Sequence, residues 1–174
     1  EPVPRAQALA GDEVAGVLGV LAQEQIGSVL FSGKFSVGEY LRGERPDATL
    51  KALERDAGTI VDANLAQAVT AMLGGMGIEL LDQRPFLGDW LGGSGCWSAR
   101  EPTESEWTDV RRGLAVARLV ADAQVGQTVV VKRGAVVAVE AIEGTTETIR
   151  RGIAGGGKGV VVVKAVARGH DYRF

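Results

Sequence analysis

Residues 129–174 read VVVKRGAVVAVEAIEGTTETIRRGIAGGGKGVVVVKAVARGHDYRF, and the fold is decided here. Two valine-rich runs, each carrying one lysine, Lys132 and Lys164, bracket an acidic strand end and a glycine-rich turn. Valine runs of this length are expected as strands buried on both faces or against an apolar core. Gln127–Lys132, a tight turn at Arg133-Gly134 and Ala135–Ala141 read as a β-hairpin. Thr145 is positioned to cap a helix from Thr146 to Gly152, and Gly155–Gly159 turns the chain into a last strand, Val160–Val166. Glu140, Glu143 and Thr145 thus collect where a strand stops. Loops at such ends are where α/β folds commonly carry chemistry.

Working back toward the start, Thr103 with Glu106 three residues on has the form of a capping box. The helix it opens is expected to run to Asp122, with Val110, Leu114, Ala117, Leu119 and Val120 facing the core. Residues 87–101 form a glycine-rich linker with Trp90 and Trp97, whose expected role is interdomain packing. Before it, residues 1–86 alternate helices and short strands. Val14, Val17, Leu18 and Leu21 have helical spacing, with Asp12 as N-cap and Gly27 as the stop. Ser28–Ser32 reads as a short buried strand closed by Gly33-Lys34. A short helix is expected within Pro46–Asp56, and a second amphipathic one over Asn64–Leu73, stopped by Gly74–Gly77. Ile78–Leu81 is the next strand. Helix, glycine, strand, glycine is the rhythm of a parallel α/β layer. The reading is therefore α/β, with a partial N-terminal α/β domain over 1–86, a linker over 87–101, and a small α+β domain over 102–174.

Composition narrows the function. The 174 residues are 45% hydrophobic but 5% aromatic, so the core is aliphatic. A net charge of −3 and pI near 5.3 argue against a nucleic-acid partner. No apolar run reaches the roughly 20 residues of a membrane span. One cysteine and one histidine exclude an internal disulfide and the usual Cys/His zinc site. A metal would be held by carboxylates, which favours magnesium or manganese. The opening EPVPRAQALAGDE reads as a loop entered partway through a protein, so residues are expected beyond both ends.

Several positions carry potential chemistry, each with an ordinary alternative. Glu140 and Glu143 can bind a cation or divide acid and base work; otherwise they are a strand residue and a helix start. Gly144 and Thr145 before a helix can hold a phosphate on free amides, or form a plain cap. Lys132 and Lys164 on apolar strands require water or an anion for their ammonium groups. Ser32, Gly33 and Lys34 follow a strand, where open α/β sheets bind nucleotides. His170, Asp171 and Arg173 offer a base, a metal ligand and a phosphate clamp, or simply terminal charge. Cys96 has nothing that marks an activated nucleophile.

With these residues laid out, RPFLGDWL, PTESEWTDVRRGLAVAR, VGQTVVVKRGAVVAVEAIEGTTETIRRG and VVVVKAVARGHDYRF resemble the LpxI-type UDP-2,3-diacylglucosamine pyrophosphatases of lipid A biosynthesis. VAVEAIEGT is the most specific segment, and FSGKF resembles the family's shorter glycine-lysine motif. The resemblance is strong from about Leu80 onward and thinner before it. It implies a Rossmann-like N-terminal domain on the nucleotide side, a C-terminal catalytic domain, and substrate between them. It also implies hydrolysis of UDP-2,3-diacylglucosamine to UMP and 2,3-diacylglucosamine 1-phosphate (lipid X) with a magnesium-type ion. Work of this kind belongs at the cytoplasmic face of the inner membrane, peripheral to it.

On this resemblance Asp171 and Glu140 are expected metal ligands, and Asp171, Glu143, Glu140 and Lys132 the catalytic set. Ser32, Gly33, Lys34, Gly144, Thr145, Lys164 and Arg173 would bind substrate. A homodimer is compatible with the sequence, though nothing requires it. The chain departs from the family at Thr146, where an aspartate is common, and lacks its opening glycine-rich turn and the segment after the Arg-aromatic pair. On this comparison the C-terminal domain is expected to be incomplete. These departures leave room for two other readings: a hydrolase of another nucleotide-diphosphate compound, and a non-catalytic module binding a nucleotide or sugar phosphate.

Overall fold

The computed structural model describes residues 14–33, 48–57 and 62–173. The chain divides into two compact units, Glu1–Phe86 with Tyr172–Phe174, and Leu87–Asp171. The expected cap Asp12 and the loop cation Lys34 lie outside the described residues.

In the first unit, α1 (Val14–Gln23), α2 (Ala48–Ala57) and α3 (Asp62–Gly75) accompany two short strands, β1 (Ser28–Val29) and β2 (Glu79–Leu80). The strands pair in parallel, Ser28 with Glu79 and Val29 with Leu80, as the α/β reading requires. At two residues each they do not define a Rossmann-like sheet. Leu73, Ile78 and Leu80 form the core, with Leu18, Leu21, Val29, Phe31 and Val69 against it. A short helix, α4 (Arg84–Leu87), and a 3-10 turn at Gly88–Trp90 follow. Trp90 and Trp97 are 91% and 74% exposed.

The second unit is a three-stranded antiparallel sheet in the order β4-β3-β5 with a helix on each face. Its elements are α5 (Glu104–Asp122), β3 (Thr128–Lys132), β4 (Ala135–Val139), α6 (Thr145–Gly156) and β5 (Val161–Lys164). Side chains alternate along a strand. Val129 and Val131 therefore pack with Ala117 of α5, while Val130 faces Gly152 of α6. Thr128, Val129, Val130 and Val131 are all fully buried, and each such valine contributes roughly 1.5–3 kcal/mol. The hairpin forms as expected. Arg133 and Gly134 at its turn have φ of 49° and 78°, the twist-matched geometry of a two-residue loop. The buried Asp109 of α5 accepts from both turn amides, Arg133 N at 3.0 Å and Gly134 N at 2.6 Å. A bulge at Val137 interrupts the pairing, since Val130 opposes Ala138 and Val131 opposes Val136.

Four local expectations change. Leu119 is 68% exposed rather than core. The inward row of α5 is Asp109, Gly113, Ala117 and Ala121, small residues four apart that let the helix approach the sheet. Thr145 is not a cap: Gly144 is the N-cap, with φ 81°, and no side chain caps the helix. The helix continues past Gly152 to Gly156 because both glycines pack on valines, Val130 of β3 and Val160 just before β5, and tertiary packing overrides weak propensity. Finally, α1 ends at Gln23, and its stop is Gln25 rather than Gly27. Gln25, Gly77 and Gln124 take φ of 52°, 75° and 58°, and the next residue's amide reaches back to a helical carbonyl. These bonds are Ile26 to Leu21, Ile78 to Leu73 and Val125 to Val120. In each, an apolar residue follows the left-handed position, and at Ile78 it packs with Leu73 of the last turn, the usual accompaniment of this helix stop.

Candidate functional site

The end of β4 brings together four groups from separate parts of the second unit. Glu140 directly follows the strand, and its amide still pairs with Thr128 O at 2.8 Å. The residue is 9% exposed. Oε1 accepts from Thr145 Oγ1 at 2.9 Å and Oε2 from the Gln127 amide at 3.2 Å. Thr145 Oγ1 in turn receives Thr128 Oγ1 and Lys164 Nζ, each at 3.3 Å. Gly126 makes this possible, since a Cβ there would lie 2.2 Å from the Glu140 carbonyl oxygen. Burial pushes the Glu140 carboxyl up. Donation from Thr128, Thr145 and the Gln127 amide, with the Lys164 charge, outweighs burial and holds it below its ordinary value. Glu140 is thus kept ionised in a half-dry setting, beside a cation that bonds a neutral hydroxyl.

Glu143 has different work. It accepts from the Ala141 amide and from Thr148 Oγ1, both at 3.1 Å, and from Arg151 Nη2 at 2.5 Å. Its own backbone amide, then Arg151 and Thr148 against the opposing effect of burial, lower its pKa. Arg151 also donates to Val139 O at 2.7 Å. This network closes the 141–144 loop, so Glu143 shapes the frame in which Gly144 and Thr145 present the start of α6. A shallow depression beside it is lined by Val139, Ala141, Arg150 and Arg151. Its arginines already pair with Glu147 and Glu143, which sets it apart from the Glu140 cluster.

The remaining expected residues belong to other elements. Lys132 ends β3, about 13 Å along the strand from Thr128, and donates to the carbonyls of Lys158 and Gly159 behind α6. Asp171 is half-buried in the irregular segment after β5. Ser32 and Gly33, with φ 125° at the glycine, form an exposed loop after β1 in the first unit. Arg173 belongs to that unit as well, where its carbonyl accepts from Gln83 Nε2 at 3.5 Å and Arg84 sits 4.2 Å over the Tyr172 ring. Sequence reasoning missed Thr128, Thr148 and Arg151. The one available signal was Thr128, a hydroxyl heading an otherwise apolar strand.

Among the described residues no three His, Cys, Asp or Glu side chains gather as metal ligands. Both Glu140 oxygens already face protein donors. A magnesium ion here would take most of its shell from water and substrate phosphate oxygens, which is a common arrangement for that ion.

Among the described residues no helix is long and apolar enough to cross a membrane. No curated protein matches the chain. Residues 93–174, which carry the Glu140, Thr145 and Lys164 cluster, match the family model described as the LpxI C-terminal domain, a match that supports the LpxI family.

Proposed function

We propose that the chain hydrolyses the pyrophosphate of UDP-2,3-diacylglucosamine in lipid A biosynthesis, with a divalent cation, expected to be magnesium. The observation that carries this reading is the family match over 93–174, joined to an ionised, half-dry carboxylate beside a lysine and a helix start. In the reaction, water oxygen bonds to the phosphorus nearer the uridine. The bridging oxygen leaves with the other phosphate, giving UMP and 2,3-diacylglucosamine 1-phosphate. Lys164 and the free amides at the start of α6 suit the charge that builds on phosphate oxygens. Glu140 suits a group that orients water, with Asp171 as the partner carboxylate and metal ligand. Arg173 and Lys132 would contribute positive field, and Ser32, Gly33 and Lys34 would lie toward the nucleotide. Bound metal would supply charge neutralisation on the phosphates. The exposed Trp90 and Trp97 offer apolar surface for acyl chains at the inner-membrane face.

The test is release of UMP from UDP-2,3-diacylglucosamine with and without EDTA. Metal-dependent release is expected, with Asp171→Ala abolishing it while the fold is retained. Binding of UDP-sugar without release would favour the non-catalytic module. Unchanged turnover in Asp171→Ala would remove that residue from the site.

A further inference from the structure

We infer that Thr128 is a positioning residue: its buried hydroxyl holds Thr145 and the Glu140 carboxylate in place for the hydrolysis proposed above, on which this inference rests. Thr128 opens β3 with 0% exposure, like the three valines that follow it. Valine has nearly the same shape and would fill the space without a polar group to satisfy. A buried hydroxyl must instead be bonded. The half-buried Thr70 meets this need by donating to the carbonyl four residues earlier in its helix. Thr128 does not turn to the backbone. Its hydroxyl points sideways to Thr145 Oγ1 at 3.3 Å, and Thr145 passes the contact on to Glu140 Oε1 at 2.9 Å.

Chemistry sets the direction of this chain of bonds. An ionised carboxylate only accepts, and an ammonium only donates. Thr145 uses its single proton on Glu140 Oε1. Toward Lys164 and Thr128 it therefore offers only lone pairs. The Thr128 proton must point into the cluster, and one arrangement satisfies every member. Thr128 touches no part of a substrate, being fully buried; it acts through Thr145 and Glu140.

Thr128→Val removes the hydroxyl and keeps the shape, whereas Thr128→Ser keeps the hydroxyl. In UMP release by the full chain, T128V is expected to lower kcat about tenfold with KM within about twofold, the loss of the bond that fixes Thr145 beside the Glu140 carboxylate. T128S is expected to recover most of that loss. Wild-type kcat in T128V, or an equal loss in T128S, would overturn the inference. A second readout does not depend on activity: urea unfolding of T128V, E140Q and the double variant. The two changes are expected to depart from additivity by about fivefold in the unfolding constant, and plain additivity overturns the coupling. A wild-type chain that releases no UMP sinks the hydrolase reading, and the unfolding cycle then decides by itself whether Thr128 holds Glu140.

Discussion

Glu106 shows how much one side chain can carry. It closes the capping box with Thr103 and also pairs with Arg100, whose two terminal nitrogens lie 2.8 and 2.7 Å from its oxygens. Arg100 first, then the Thr103 amide and hydroxyl, lower its pKa from 4.5 to about 2. A folded value below the unfolded one means that the contribution is whole above the ordinary value and disappears as pH falls toward the folded one. Glu106→Gln keeps a capping partner but loses the charge. Its melting temperature should therefore lie below wild type at pH 7, and the gap should close between about pH 4.5 and 2. A gap that stays constant across a thermal titration would place the stabilisation elsewhere. The capping box itself was legible as Thr-x-x-Glu, because both halves of its geometry are local. Asp109 was not legible, because the turn whose amides it satisfies is 24 residues away.

At the scale of elements, α6 is held by glycines that look like helix breakers in the sequence. A Cβ on Gly152 would lie 2.7 Å from the Val130 side chain, and one on Gly156 2.7 Å from Val160. Gly155, on the same helix, has nothing within 4 Å. Gly152→Ala should cost about 1–3 kcal/mol as the helix is forced off the sheet. Gly155→Ala should stabilise by about 0.4–1 kcal/mol, because it restricts only the unfolded chain. Chemical denaturation of the two variants separates them by sign. Equal effects would mean that α6 does not sit closely on β3. Propensity alone ends this helix at Gly152; the contacts that keep it going come from Val130 in β3 and from Val160, beyond the helix itself.

At the scale of the whole molecule, the two units differ in how deeply their sheets are covered. β3 has helices on both faces and strands on both edges, whereas β1 and β2 pair over two residues. Amide exchange should accordingly be slowest in β3, around Val129–Val131, and faster at β1 and β2, since protection follows buried, paired backbone. Exchange at β1 slower than at β3 would contradict this ordering. The site draws on the same layout. Its carboxylate, hydroxyls and lysine come from β3, the loop after β4, the start of α6 and β5, and the central strand holds them in register.

The sequence alone determined the α/β class, the hairpin and the capping box. These depend on period, turn residues and neighbours within a few positions. The tertiary structure alone decided which polar groups meet. Thr128 and Lys164 reach Thr145 only because β3 lies between β4 and β5, while Lys132 is carried to the far end of β3 by the strand rise. Strand order and helix approach depend on side chains packing across tens of residues, and no local pattern encodes that distance.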